Sequence, residues 1–285
     1  NWGRCRRKLR QITDLLRSQG FPFSLATSNG SRHAGELAAA AAADNANTIV
    51  IAGGDGTVSE VVNGLFASGC GHVPQIGIIP LGSSNDFSKS LGIPQNLSEA
   101  CRTIMTGTVR KVDVGRVGSH YFCTASCLGY FAEIAARSLQ MTRFRGSLRY
   151  TIPALRVIRE MACGWEMNVR TDTRVFHGTY AVLLVGNASR FGGLTMLPGA
   201  RCDDGLFDCL LIEMAGKWEA LHLIPLVYRK ALERHRRVTR FQTRSLSVSL
   251  DHPSRLCNDG EVYPTAFEQL DYTVLPRRLP VLCRG

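Results

Sequence analysis

Residues 49–65 read "IVIAGGDGTVSEVVNGL". Four apolar residues run without alternation, a glycine-flanked aspartate follows, and apolar positions then recur at helical spacing. A strand that is apolar at every position is buried on both faces, the habit of parallel sheets. A glycine turn after such a strand aims backbone N–H groups, and the positive end of the next helix, at one point. Gly53, Gly54 and Gly56 let that backbone close on an anion, whereas Asp55 in their midst would repel one. A divalent cation, directly or through its waters, would reconcile the carboxylate with a polyphosphate. Thr57 and Glu60 also fit the T-x-x-E pattern of a helix start, which accounts for those two residues and leaves Asp55 unexplained.

Outward from this stretch, strand and helix patterns alternate. Leu9, Ile12, Leu15 and Leu16 predict a helix stopped by Gly20, "FPFSLAT" (21–27) a short strand, and "RHAGELAAAAAADNA" (32–46) a helix. "TVSEVVNGLFASG" (57–69) predicts another helix, "QIGIIP" (75–80) a strand and "SEACRTIMTG" (98–107) a helix. A second polar turn sits in "IGIIPLGSSNDFSKSLGIP" (76–94), offering Gly82, Ser83, Ser84, Asn85 and Asp86 just before a helix. Two such turns at the ends of neighbouring parallel strands are where open α/β sheets bind ligands. No G-x-x-x-x-G-K-[ST] occurs, so the site is not a P-loop.

From Lys111 the pattern changes. "KVDVGRVGSHYFCTAS" (111–126) predicts a hairpin turning at Gly118 and Ser119, and "GSLRYTIPALRVIREMA" (146–162) a helix. Strand patterns dominate "EMNVRTDTRVFHGTYAVLLVGNA", "GLFDCLLIEM", "SLSVSL" and "QLDYTVLPRRLPVLC", interrupted by a basic helix from Trp218 to Arg237. The expected architecture is α/β plus all-β, with an α/β domain over 1–110 and a β-rich domain over 111–285 whose last strands return toward the first.

The 285 residues carry 34 Lys and Arg against 23 acids, a net charge of +11, which favours anionic partners. Cations cluster at Arg143, Arg145, Arg149, Arg156 and Arg159, and again at Arg229, Lys230, Arg234, Arg236, Arg237, Arg240 and Arg244. Trp218, Leu221, Ile224 and Leu226 precede the second cluster as in a helix lying on a lipid surface. Aromatics are not interleaved with the cations as stacking on nucleic acid requires. The 10 cysteines include no C-x-x-C and read as reduced, buried, intracellular thiols. No zinc spacing, signal peptide or membrane-spanning run is expected.

The two turns, together with "VDVGRV" (112–117), "RFRGSLRYTIPAL" (143–155), "LLVGNASRFGGLTMLPGARCDDGLFD" (183–208) and "CNDGEVYPTAF" (257–267), closely resemble the diacylglycerol kinase catalytic-domain family. That family includes bacterial diacylglycerol kinases, sphingosine kinases and ceramide kinases. The resemblance implies a Rossmann-like parallel α/β domain followed by an antiparallel β-sandwich, and transfer of the ATP γ-phosphate to a lipid hydroxyl, most simply that of diacylglycerol. It implies that Gly53, Gly54, Asp55, Gly56, Thr57 and Ser59 line the phosphates, with Thr27, Gly82, Ser83, Asn85 and Asp86 also at the nucleotide. Asp55, Asp86 and Asp113 match acids the family places around ATP-bound Mg²⁺, partly through water. Asp259 or Glu261, in "NDGE", would be the general base. Asp204, with the carbonyls of Arg201 and Leu206, matches a second, structural metal site.

The family's usual opening strand with its N-P-x-x-G loop is not matched at the start of this sequence, and Ser83 stands where the family usually has threonine. The implied partners are a lipid substrate and anionic phospholipid at the cytoplasmic membrane surface, with a homodimer left open. Two other readings fit parts of the pattern. An NAD kinase shares the G-G-D-G turn, although its second Asn-Glu pair is not evident, and a non-catalytic membrane-binding regulator would account for the basic stretches.

Overall fold

The computed structural model describes residues 2–69, 71–141 and 148–285. The chain divides into two compact units, Asn1–Val112 with Arg278–Gly285, and Asp113–Arg277.

The first unit contains α1 (Trp2–Ser18), α2 (His33–Ala43), β1 (Thr48–Gly53), α3 (Asp55–Ala67), β2 (Gln75–Pro80), α4 (Asp86–Ser90) and α5 (Leu97–Thr106). β1 and β2 pair in parallel, Ile49 opposite Ile76 and Ala52 opposite Ile79. Val281, near the chain's end, pairs in parallel with the other edge of β2. β2 is buried from Ile76 to Pro80, because helices cover it: Ile12 and Leu16 of α1 pack with Ile79, Cys101, Ile104 and Leu282. Asn96 starts α5 by accepting bonds from the amides of Ser98 (2.9 Å) and Glu99 (3.3 Å), a cap worth about 1 kcal/mol. α2 and α3 approach so closely that a Cβ on Gly64 would lie 2.2 Å from the Gly35 carbonyl oxygen.

Two local expectations change. Residues 21–27 form no strand; Pro22 brings no amide to a ladder, and Phe21 and Phe23 pack against the α1–α5 cluster instead. α3 begins at Asp55, with Gly54 at its N-cap and no side-chain cap, so Thr57 sits within the first turn and does not cap it.

The second unit is β-rich. The unit boundaries fall inside β3 (Thr108–Val117) and β13 (Glu261–Cys283). Between them lie β4 (His120–Phe122), β5 (Ala125–Gly129), α6 (Tyr130–Leu139), α7 (Leu148–Glu160), β6 (Trp165–Thr171) and β7 (Val175–Gly186). They continue with β8 (Arg190–Phe191), β9 (Leu194–Thr195), β10 (Phe207–Glu213), α8 (Lys217–Tyr228), β11 (Val238–Thr243) and β12 (Ser245–Asn258). The expected hairpin at Gly118 is β3–β4, with Gly115 opposite Phe122.

β7 pairs antiparallel with β5, β6 and β10, and its second half reads as an unbroken apolar run because both faces are covered. Leu183 and Val185, with Cys209 and Leu211 of β10, face a core shared with Phe122, Met167 and Tyr272. Val182 and Leu184, with Leu210 and Ile212, face a second core shared with Ala132, Ala135, Phe191 and Leu232. Truncating such a Leu to Ala costs about 2–5 kcal/mol. α6 belongs to this second core, with Ala132, Ala135 and Ser138 buried at helical spacing; it lies in a stretch with no element expected.

The basic helix is shorter than expected. α8 ends at Tyr228, Lys230 adopts φ 55°, and a 3₁₀ turn then buries Leu232. Arg143 and Arg145 of the first basic cluster lie outside the described residues. Eight described cysteines are free thiols, and of these only Cys163 is exposed. Among the described residues, no helix is long and apolar enough to cross a membrane.

Candidate functional site

In the first unit, β1 and β2 deliver the two glycine turns side by side. Leu81 donates its amide to the Gly53 carbonyl at 2.8 Å. A Cβ on Gly54 would lie 2.9 Å from Gly82 Cα, and one on Gly82 would lie 2.6 Å from Gly54 Cα and from Asn85 Oδ1. Backbone contact between the turns therefore requires glycine at both positions.

Each turn opens a helix on an acid, Asp55 on α3 and Asp86 on α4, where the helix dipole favours negative charge. Asp55 Oδ1 accepts the Phe87 amide at 3.2 Å, so one job of this carboxylate is to tie its own turn to the start of α4. Asn85 adopts a left-handed φ of 52° and donates Nδ2 to the Gly82 carbonyl (3.2 Å) and to Gln95 Oε1 (3.1 Å). Its Oδ1 and the Ser59 hydroxyl are buried, and neither has a hydrogen-bond partner among the described residues. Gly56, Gly82 and Ser83 are exposed and Asp86 is buried. Exposed glycine backbone beside unspent buried polar atoms suits a polyphosphate and its nucleotide. Thr27 lies exposed in the irregular segment before α2.

In the second unit, Asp259 and Gly260 form the two-residue turn between β12 and β13, both with positive φ (50° and 87°), as an Asp-Gly hairpin requires. Asn258 and Glu261 face each other across it. The Asp259 carboxylate turns inward and accepts the amides of Cys123 (2.8 Å), Thr124 (2.7 Å) and Ala125 (3.2 Å), plus the Thr124 hydroxyl. Burial pushes its pKa from 3.8 to about 6 despite these four donors, which pull the other way. Glu261 is exposed. The two candidate bases thus have opposite settings, one clamped and dry, the other at the surface.

Asp113 belongs to the second unit and is fully buried. Its two oxygens accept the amides of Gly205 and Arg277, each at 2.7 Å. Asn187, which sequence reasoning missed inside "LLVGNAS", donates Nδ2 to the carbonyls of Asp113 and Cys123, both at 2.9 Å. The same side chain thereby braces Asp113 and the loop that holds Asp259. Asp204, in the Arg201–Leu206 turn, accepts the Leu206 amide at 3.1 Å. Burial first, then the nearby Asp208, Asp113 and Asp203, raises its pKa. Among the described residues, no three His, Cys, Asp or Glu side chains converge on a common ion position.

A cavity of about 150 Å³ lies in the second unit among α6, α7, α8 and the faces of β7 and β10. Its wall includes Phe131, Ala154, Val157, Phe191, Ile212 and Leu223. Its only side-chain polar atoms are the hydroxyls of Tyr130, Tyr150, Thr151 and Tyr228 and the Met thioethers. So apolar a lining favours hydrocarbon over water. Its residues come from six separated segments, and no spacing in the sequence announces that they share one cavity.

Comparison with known proteins follows the same division. Residues 2–117 match the diacylglycerol kinase catalytic domain, and residues 125–283 match the YegS C-terminal NAD kinase beta sandwich-like domain. A diacylglycerol kinase of Staphylococcus carnosus is 29% identical over 258 residues, covering 90% of this chain and 83% of that protein. One from Staphylococcus saprophyticus is equally similar, with 84% of its length covered. The crystal structure of a diacylglycerol kinase from Bacillus anthracis superposes with a TM-score of 0.77 at 20% identity, over 98% of this chain and 92% of that one. An NAD kinase from Archaeoglobus fulgidus in complex with ATP gives 0.55 at 12% identity, over 98% and 90%. These two structural likenesses are of fold alone. The catalytic-domain match over the glycine turns, the second domain's match over most of the rest and the run of sequence relatives agree: the chain belongs to the diacylglycerol kinase catalytic-domain family.

Proposed function

We propose that the chain is an ATP-dependent lipid kinase that phosphorylates the hydroxyl of diacylglycerol or a related lipid alcohol. The observation that carries the lipid half of this reading is the apolar cavity, whose wall offers hydrocarbon contact and a few hydroxyls but no charge. NAD, a soluble dinucleotide, has no use for such a space, and the NAD kinase likeness is one of fold. The ATP half rests on the paired glycine turns, with Gly53 to Ser59 and Gly82 to Asp86 around the phosphates and Thr27 beside the nucleotide.

Parallel pairing of β1, β2 and the end of β13 supports a Rossmann-like nucleotide domain over 1–110, and the antiparallel ladders support a sandwich-like lipid domain over 111–285 whose last strand returns to the first. Asp55 and Asp86 would hold Mg²⁺ through water, and the ion supplies charge neutralisation for the phosphates. Asp113, with both oxygens on backbone amides, would act on that chemistry by positioning. The Arg201–Leu206 turn, with Asp204, would take the structural ion. Transfer needs the acceptor hydroxyl in line with the γ-phosphate and a carboxylate to receive its proton, a role for Asp259 or Glu261. The work would take place against an anionic membrane surface on the cytoplasmic side.

The test is to offer labelled ATP with mixed-lipid vesicles, and separately with NAD⁺, and to identify the products by mass spectrometry. A phosphorylated glycerolipid is expected. Labelled NADP⁺ without any lipid product, or no ATP consumption in either case, would overturn the reading.

A further inference from the structure

The Asn85 side chain, in the second glycine turn, is committed on one side and unspent on the other. Its Nδ2 donates to the Gly82 carbonyl (3.2 Å) and to Gln95 Oε1 (3.1 Å), which uses both hydrogens of the amide. Its Oδ1 is buried and accepts nothing among the described residues. Neither amide can be turned end for end. The carbonyls of Gly82 and Ile93 only accept, so Asn85 Nδ2 must face the first and Gln95 Nε2 the second, at 2.9 Å.

Gln95 closes a ring around this arrangement. Its Nε2 also donates to Ser88 Oγ (3.1 Å), and the Ser88 hydroxyl donates to the Asn85 carbonyl (3.1 Å). The bonds run from the Asn85 side chain through Gln95 and Ser88 back to the Asn85 backbone, which is held at φ 52°. Asn85 and Ser88 are buried, whereas Gln95 is exposed on the loop after α4. An exposed side chain therefore fixes the orientation of a buried one.

The atom left over decides what the turn can meet. A Cβ on Gly82 would lie 2.6 Å from both Asn85 Oδ1 and Gly54 Cα, so the oxygen sits on the side of the second turn that faces the first. The bare Gly82 backbone beside it is exposed. A carbonyl oxygen gains nothing from a phosphate, whose oxygens are acceptors too. It gains from a donor on the nucleoside half of the ligand, which is either a ribose hydroxyl or the exocyclic amine of the base.

We infer that Gln95 is a positioning residue for the nucleotide: it holds Asn85 with its oxygen toward the ligand, so that the site takes the nucleoside through a hydrogen-bond donor. This role rests on the ATP half of the kinase reading. The experiment is equilibrium binding of ATP, purine riboside triphosphate (which lacks the amine), 2′-deoxy-ATP and 3′-deoxy-ATP. The proteins are the unaltered chain and Gln95→Met, a side chain of similar length that cannot donate to Ser88 or Ile93.

The analogue lacking the donor that Asn85 meets should bind the unaltered chain roughly tenfold more weakly than ATP, because a buried acceptor then stays unpaired. Which analogue that is tells the amine from a ribose hydroxyl. Gln95→Met should bind ATP roughly tenfold more weakly and that analogue as the unaltered chain does, so the preference for ATP is lost. KM for ATP should rise in step, with KM for lipid unchanged. Ser88→Ala opens the ring at another bond and should narrow the preference in the same direction; it carries the test if Gln95→Met does not fold. A merely structural role would weaken every triphosphate alike and leave the preference standing, which would overturn the inference. So would equal binding of all of them by the unaltered chain. Binding of none would instead remove the ATP reading beneath it.

Discussion

Asp259 is a buried carboxyl with no cation among its hydrogen-bond partners, and two effects compete over its proton. The amides of Cys123, Thr124 and Ala125 and the Thr124 hydroxyl favour the ionised form, and burial opposes it. Burial wins, lifting the group from 3.8 to about 6. The folded protein therefore holds this proton more tightly than the unfolded chain. Its contribution to stability is full below about pH 4, is lost as pH rises to about 6, and stays lost above that. At about 1.4 kcal/mol per pH unit, the loss is about 3 kcal/mol, a large share of a typical domain's 5–15 kcal/mol.

The assay is urea unfolding of the unaltered chain and of Asp259→Asn at intervals from pH 4 to 7.5. Asn cannot ionise, so the difference between the two isolates this group from every other acid. The unaltered chain's stability relative to the variant should fall by about 3 kcal/mol across that window. A flat difference would refute the reasoning. A difference that grows with pH would show that the amide cradle, and not burial, governs the carboxylate. The same pair reports on chemistry: if Asp259 receives the acceptor's proton, kcat falls below about pH 6, Asp259→Asn is nearly inactive, and Glu261→Gln keeps that acid limb.

Gly82→Ala would place a Cβ 2.6 Å from Gly54 Cα, so the turns must part; stability should drop by about 1–3 kcal/mol and KM for ATP should rise, with KM for lipid unchanged in steady-state assays. Asp113→Ala strands the amides of Gly205 and Arg277, a cost of about 3 kcal/mol in urea unfolding, and an unchanged midpoint would show that water replaces the carboxylate freely. Ala154→Trp fills the apolar cavity and should lower kcat/KM for long-chain diacylglycerol at least tenfold while leaving KM for ATP alone; equal loss on both substrates would mean the cavity is merely a packing gap.

What could be read ahead of the structure, and what could not, follows from how far each signal reaches along the chain. The two turns were legible because a strand, a turn and a helix are consecutive, and each demands a residue type: glycine where Gly54 and Gly82 touch, an acid at each helix start. "FPFSLAT" misled because β propensity says nothing about whether a neighbouring strand is there to pair. α6 was missed because its buried face is made of Ala132, Ala135 and Ser138, small residues whose periodicity hardly registers as hydrophobic. Thr57 fits a capping pattern, but α3 has its N-cap three residues upstream, at Gly54.

The candidate residues of the second unit are of another kind. Asp259 meets Cys123 to Ala125 across more than 130 positions, and Asn187 bridges Asp113 and Cys123. The cavity gathers residues from Tyr130 to Leu232. None of these contacts leaves a local trace, because each member taken singly is an ordinary strand, turn or helix residue. The chemistry follows the same split. Phosphate binding depends on backbone geometry that glycines announce, whereas a lipid acceptor needs only apolar space, which many side chains can furnish and no spacing records. Kinases built this way are therefore easier to recognise by their nucleotide than by their acceptor, and the acceptor has to be argued from the shape of the cavity.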